Sequence, residues 1–310
     1  MRRNSILKFL RFTLSVILPM AILSPVSAQI ADQPPSATFR SEVTEVRVTF
    51  SATDQKNRVV STIQPTDFAI VDQGRVIREF RSFTRSGYTR LQVTILVDGS
   101  DSLKPRLQQE LSSVTELLGP DSGLPEDALS VVSFHGVKPI TLCQGNCRAL
   151  DLGAQFSSVA NESETPLYDS MVFASQQLGQ TTDVHARKIL VVFSDGEDTI
   201  SIQSLSDVIN SALEGDVAIY SIDLSAAPQM RSGSAVLRWL AANSGGRYFT
   251  AGVATDKVLN AILEDFHATY TVAYKLPNPA EGFHLLRILP THDLGLQFHC
   301  RLGYYYPNKF

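Results

Sequence analysis

The chain has 310 residues, 44% of them apolar and 19% charged, which is enough for one core of roughly 150 to 200 residues plus a smaller module and excludes a disordered tail. Its 27 basic and 31 acidic residues leave a formal charge of -4. The lysines and arginines are scattered rather than gathered in a stripe, which argues against nucleic acid as a partner.

The first elements read as an address. Arg2, Arg3, Lys8 and Arg11 precede an apolar run from Phe12 to Leu23, and Val26-Ser27-Ala28 suits cleavage after Ala28. Residues 1–28 are therefore expected to be a secretory signal peptide, because the run is shorter than the ~20 residues that span a bilayer. An uncleaved anchor is the alternative, and the membrane is expected only through this segment. An exported protein follows from this reading, whether periplasmic, extracellular or held at the cell envelope. Residues 29–39, polar and containing Pro34 and Pro35, read as a linker.

Residues 40–88 alternate as strands do. Val43, Val46, Val48 and Phe50 are apolar with polar neighbours between them, Val59 and Val60 resume the pattern, and "DFAIVDQGRVIREF" reads as two strands about a Gln73-Gly74 turn. A small antiparallel β module is expected here.

From residue 89 to 267 the rhythm becomes strand, helix, strand. "LQVTILV" is a buried strand of the parallel type. Leu107, Leu111, Val114 and Leu118 define one helix face over residues 104–118. "ALSVVSF", "KILVVFSDG", "VAIYSIDL" and "RYFTA" read as further strands, alternating with helices at "LYDSMVFASQQLG", "SLSDVINSALEG", "SAVLRWLAANSGG" and "DKVLNAILEDFH". This alternation predicts a doubly wound, mainly parallel α/β sheet, with Trp239 and Leu240 on a helix core face. Residues 268–310 read as strands again, giving a C-terminal β segment that can join the N-terminal module, since chain ends often lie close.

Three cysteines bear on the compartment. Cys143 and Cys147 in "CQGNC" can close a small disulfide loop in an oxidising environment, leaving Cys300 over; three reduced thiols are the alternative. The six histidines have no tight ligand spacing.

The chemistry sits where strands end. In open α/β sheets ligands bind beyond the carboxyl ends of the strands, and Asp98 and Asp195 both follow apolar strands there. Ser100 and Ser102 alternate with Asp98 in a D-x-S-x-S pattern, so hydroxyls can converge with the carboxylates. Hard oxygen donors without Cys or His suit Mg²⁺, which wants six oxygens and tends to keep waters. Two carboxylates balance such an ion and leave a position for an outside oxygen. Taken singly, "DGSDS" and "SDGED" are also ordinary turn sequences.

The D-x-S-x-S pattern after the first strand resembles the metal ion-dependent adhesion site of von Willebrand factor type A domains. The resemblance implies a threonine ahead of a helix, matched by Thr165 in "SETPLYDS", and an aspartate after the central strand, matched by Asp195 in "VVFSDGEDT". More narrowly, "PTDFAIVDQGRVIREF", "SDGEDTIS", "SGGRYF" and "YTVAYKLP...RLGYYYP" resemble a group of secreted bacterial proteins related to that domain. By resemblance, Ser100, Ser102 and Thr165 would coordinate directly and Asp98 and Asp195 directly or through water, around Mg²⁺ or Mn²⁺, with a partner's Asp or Glu completing the ion. One departure stands out: Asp101 occupies a position where the group commonly has a small residue.

The expected function is thus a non-enzymatic, metal-dependent protein-binding module for adhesion or scaffolding. Two alternatives stand beside it. One is a structural protein whose metal only staples loops. The other, a Mg²⁺-dependent phosphotransferase, lacks the second acid two residues after Asp98, where Ser100 stands.

Overall fold

Alternation puts Val46, Val48, Phe50 and Ala52 of β1 (Glu45–Thr53) into a buried core while the residues between them face outward or are half-buried up to Phe50. β2 (Phe68–Asp72) and β3 (Arg75–Ile77) form a hairpin about Gln73 and Gly74, both at positive φ, as a two-residue turn of the primed type demands. β4 (Ser82–Arg85) follows. Val59 and Val60, expected to resume a strand, contribute only a single bridge from Val59 to Thr53. Asp54 accepts from the backbone of Lys56 and Arg58, turning the chain before a ladder can form.

The computed structural model describes residues 45–85, 90–101, 103, 114–115, 119–120, 128–147, 154, 164–181, 183, 186–226, 232–250, 255–276 and 279–306, with backbone alone over 255–259. The expected signal peptide, the linker, Ser102 and the helix of residues 104–118 apart from Val114 and Thr115 lie outside them.

β5 (Leu91–Asp98), β6 (Leu129–His135), β7 (Lys138–Gln144), α1 (Leu167–Gly179), β8 (Arg187–Ser194), α2 (Leu205–Gly215), β9 (Val217–Asp223), α3 (Ser232–Ser244), β10 (Tyr248–Thr250) and α4 (Thr255–His267) build the α/β part. Its six-stranded sheet has the order β10-β9-β8-β5-β6-β7, parallel except for β6 against β7. Odd and even positions feed two cores. Val93, Ile95, Val97, Ile189, Val191 and Phe193 pack with Ile262 and Phe266 of α4. Leu96, Leu190, Val192 and Ile219 meet α1, α2 and α3 on the other face. Such two-sided burial explains why these strands read as continuous apolar runs.

β7 is a strand that the sequence pattern did not mark, antiparallel and at the sheet edge; Pro139 is tolerated there because an edge leaves one side of the backbone unpaired. Cys143 and Cys147 are disulfide-bonded, with Cα atoms 5.7 Å apart, and Cys300 is free. Trp239 is 42% exposed rather than in the core, because the buried stripe of α3 runs through Leu237, Leu240, Ala241 and Ser244.

β11 (Tyr270–Lys275), β12 (Gly282–Pro290), β13 (Gln297–Cys300) and β14 (Gly303–Tyr306) return to pair with the N-terminal strands. The two antiparallel sheets, β13-β1-β11-β4 and β14-β12-β2-β3, interleave the two ends of the chain and share one core. Phe50 and Phe68 meet in it edge to face at 5.0 Å. Asp72, fully buried, accepts from the hydroxyls of Tyr274 at 2.7 Å and Tyr304 at 2.8 Å, and His284 Nδ1 lies 3.0 Å from it. His284 Nε2 faces the Ala280 carbonyl at 2.7 Å, so that nitrogen carries a proton.

The sandwich joins the α/β part near the carboxyl ends of α2 and α3. Leu302 N–H donates to the Asn243 carbonyl at 2.7 Å, Arg301 reaches Asp216 at 2.8 Å, and Arg247 donates to the Asn57 carbonyl at 2.9 Å. Helices here run antiparallel to the strands they connect, so this seam lies by the amino ends of the sheet strands. The carboxyl ends, with their acids, belong to the opposite end of the sheet.

Candidate functional site

Asp98 ends β5 and Ser194 ends the neighbouring strand β8. Asp98 is fully buried, and its carboxylate accepts from Ser100 N–H at 3.0 Å and from Ser194 Oγ–H at 2.8 Å. Gly196 N–H in turn donates to Ser194 Oγ at 3.0 Å, so a short relay runs from the loop after β8 into Asp98. Burial pushes the Asp98 carboxyl up to about 6, opposed by the Ser100 and Ser194 hydrogen bonds and reinforced by the charge of nearby Asp195.

Asp195 itself is 8% exposed and accepts from Glu197 N–H at 3.1 Å. Ser100 and Thr165 are buried at 3% and 5% exposure. The loop carrying Thr165 is bound to both neighbours. Gly136 N–H, just beyond β6, donates to the Glu164 carbonyl at 3.0 Å, while Thr165 N–H donates to Thr199 Oγ1 at 2.7 Å and Thr199 N–H to the Thr165 carbonyl at 2.9 Å. Asp98, Ser100, Thr165 and Asp195 thus belong to loops at one end of the sheet. Ser102 lies outside the described residues.

The loop after Asp195 is also what caps α1. Pro166 at the N-cap has no side-chain acceptor to offer, and the orphan N–H groups of Tyr168 and Asp169 are taken by Asp198 Oδ1 at 3.2 Å and Ser201 Oγ at 3.0 Å. Asp169 answers by accepting from Ile202 N–H at 3.2 Å and Gln203 N–H at 2.8 Å. Asp198 thus caps a helix that precedes it in the chain. Gly196, at φ +78°, lets its backbone touch Gly233 at the start of α3, where any Cβ would strike the Gly233 carbonyl.

Sequence reasoning missed two groups. Ser194 orients Asp98, and its signal is a polar residue closing an otherwise apolar strand. Asp223 ends β9 as Asp98 ends β5, is fully buried, and accepts from Ser225 N–H at 2.8 Å and from the Tyr248 hydroxyl; the parallel between "VTILVD" and "VAIYSID" was its signal.

The donor set is made of carboxylates and hydroxyls, the oxygens a hard divalent cation prefers. Two buried acids sit side by side, and neither is paired with a cationic side chain among the described residues. A buried carboxylate left so is costly unless a proton or a cation joins it. No group of three or more His, Cys, Asp and Glu side chains gathers among the described residues.

No protein-family model and no curated protein matches the chain. The solved structures it resembles include von Willebrand type A domain proteins. An aerotolerance-related membrane protein from Bacteroides fragilis is 16% identical, with 57% of this chain and 98% of that chain covered and a TM-score of 0.46. The manganese-loaded TRAP protein of Plasmodium vivax is 15% identical over 77% and 99% of the two chains, with a TM-score of 0.42. The VWA domain of SpRpn10 is 15% identical over 52% and 87%, with a TM-score of 0.36. Among the described residues no helix is long and apolar enough to cross a membrane.

Proposed function

We propose that this chain is an exported, non-enzymatic protein-binding module with a doubly wound von Willebrand type A core, which captures a partner carboxylate through a divalent cation. Asp98, Ser100, Ser102, Thr165 and Asp195 would hold Mg²⁺ or Mn²⁺. When bound, the ion supplies a positive charge with one coordination position left for an Asp or Glu of the partner. The chain's own groups prepare this: Ser100 and Ser194 aim the Asp98 carboxylate, and Asp195 lends a second negative charge beside it.

The observation that carries the reading is the pair of buried, adjacent acids, Asp98 and Asp195, with no cationic side chain paired to either among the described residues. A cation that merely staples loops is the lesser reading. Direct bonds between Thr165 and Thr199, Asp198 and Tyr168, and Asp169 and Gln203 already tie the second and third loops together. Titration calorimetry with Mg²⁺ on the wild type and on Asp98→Ala tests the site. Heat lost in the variant supports it, and equal heats sink it. A melting temperature that rises steeply with Mg²⁺ in the absence of any partner would favour stapling.

A further inference from the structure

The two antiparallel sheets end in β3 and β4, and the chain between these strands crosses from one sheet edge to the other. A groove of about 730 Å³ opens along this crossing, lined by residues 76–81 and Lys275. We propose that it binds an extended acidic peptide segment of a partner, added along the edge of β3 that no strand covers among the described residues.

Charge is the first support. Arg78, Arg81 and Lys275 are all exposed and face only one carboxylate, Glu79, in the lining. None of the three is in an ion pair among the described residues. Such a cluster runs against the chain's overall charge of -4, and cationic walls with no internal partner attract an anionic occupant.

Shape and backbone say that the occupant is a strand rather than a small anion. The volume lies within the usual range for binding clefts, roughly 300 to 1,000 Å³, and exceeds what a single carboxylate or phosphate fills. Among the described residues β3 is the last strand of its sheet, and an edge offers backbone N–H and C=O groups to an added strand. Val76 on that edge is 57% exposed, an apolar contact among the charges. The groove is also preformed: Ile77 and Phe80 pack against the sandwich core, and Arg81 N–H donates to the Ala273 carbonyl at 2.7 Å. Little ordering is needed on binding.

This groove is separate from the strand-end acids, because the sandwich meets the α/β part by the amino ends of the sheet strands. It also needs no metal. Fluorescence anisotropy with a labelled eight-residue peptide alternating valine and glutamate, run on the purified protein in EDTA, tests it. Saturable binding is expected, falling with salt, lost when glutamine or lysine replaces glutamate, and weakened at least about tenfold in Arg78→Ser/Arg81→Ser/Lys275→Ser. Asp98→Asn should bind as the wild type does. N-methylation of alternate peptide residues should weaken binding in one register and spare it in the other. Equal binding of the glutamine peptide, equal binding by the triple variant at an unchanged melting temperature, or displacement by free tripolyphosphate at equal charge would each overturn the proposal. Should the triple variant fail to fold, Lys275→Glu alone should still weaken binding, and no change there would count against it.

Discussion

Ser194 Oγ donates to Asp98 Oδ2 at 2.8 Å across two adjacent parallel strands, and the same oxygen accepts from Gly196 N–H at 3.0 Å. One hydroxyl therefore both orients the acid and fixes the first turn of the loop after β8. Ser194→Ala leaves a buried N–H without its acceptor and a buried carboxylate short of a donor. It should cost about 1 to 3 kcal/mol of stability and weaken Mg²⁺ binding, as read by urea denaturation and calorimetry. Unchanged values in both would show the relay to be incidental.

Asp98 gives the protein a pH signature in metal-free buffer. Its carboxyl is raised from the ordinary 3.8 to about 6, chiefly by burial. The folded state therefore holds this proton more tightly than the unfolded chain does. The associated stability is complete below about 3.8 and disappears as pH rises through about 6, a span worth about 3 kcal/mol. Asp98→Asn should flatten that part of the curve and be the more stable protein above pH 6 in EDTA. Parallel denaturation midpoints for the two proteins from pH 4 to 7 would refute this.

Gly196 and Gly233 approach backbone to backbone between the Asp195 loop and α3, and Gly196 stands at φ +78°. Gly196→Ala and Gly233→Ala should each cost about 3 kcal/mol or more, since atoms of backbone, not flexible side-chain tips, would have to move. Thermal unfolding checks this. A loss below about 1 kcal/mol in both would mean that the loop and the helix separate freely.

Asp72 collects two tyrosine hydroxyls and His284 inside the sandwich. Asp72→Ala removes the acceptor that these three polar groups share and should cost about 3 to 5 kcal/mol. Tyr274→Phe, which removes one donor and leaves the rest, should cost about 1 kcal/mol. Chemical denaturation of the three proteins orders them, and equal losses would mean that packing, not hydrogen bonding, sets the cost.

Much of the α/β part was legible because its signals are local. "VTILV" and "KILVVF" are apolar without interruption since both faces of their sheet are covered, and α2 begins at Ser204 with a reciprocal Ser204–Asp207 capping box. The failures are where neighbours decide. β7 carries Pro139 and mostly exposed side chains, so its pattern says little until β6 is seen beside it. Trp239 is large and apolar, yet the turn of α3 on which it falls faces outward.

The candidate site divides in the same way. Residue types and spacing determined that two acids end apolar strands and that hydroxyls follow the first of them, because strand alternation and turn chemistry act over a few residues. Tertiary structure alone decided that Ser194 orients Asp98, that Asp198 and Ser201 cap a helix some thirty residues earlier, and that the chain's two β segments build one sandwich. Those outcomes depend on which backbone groups lack a local partner, and such groups are satisfied by whatever the fold brings near.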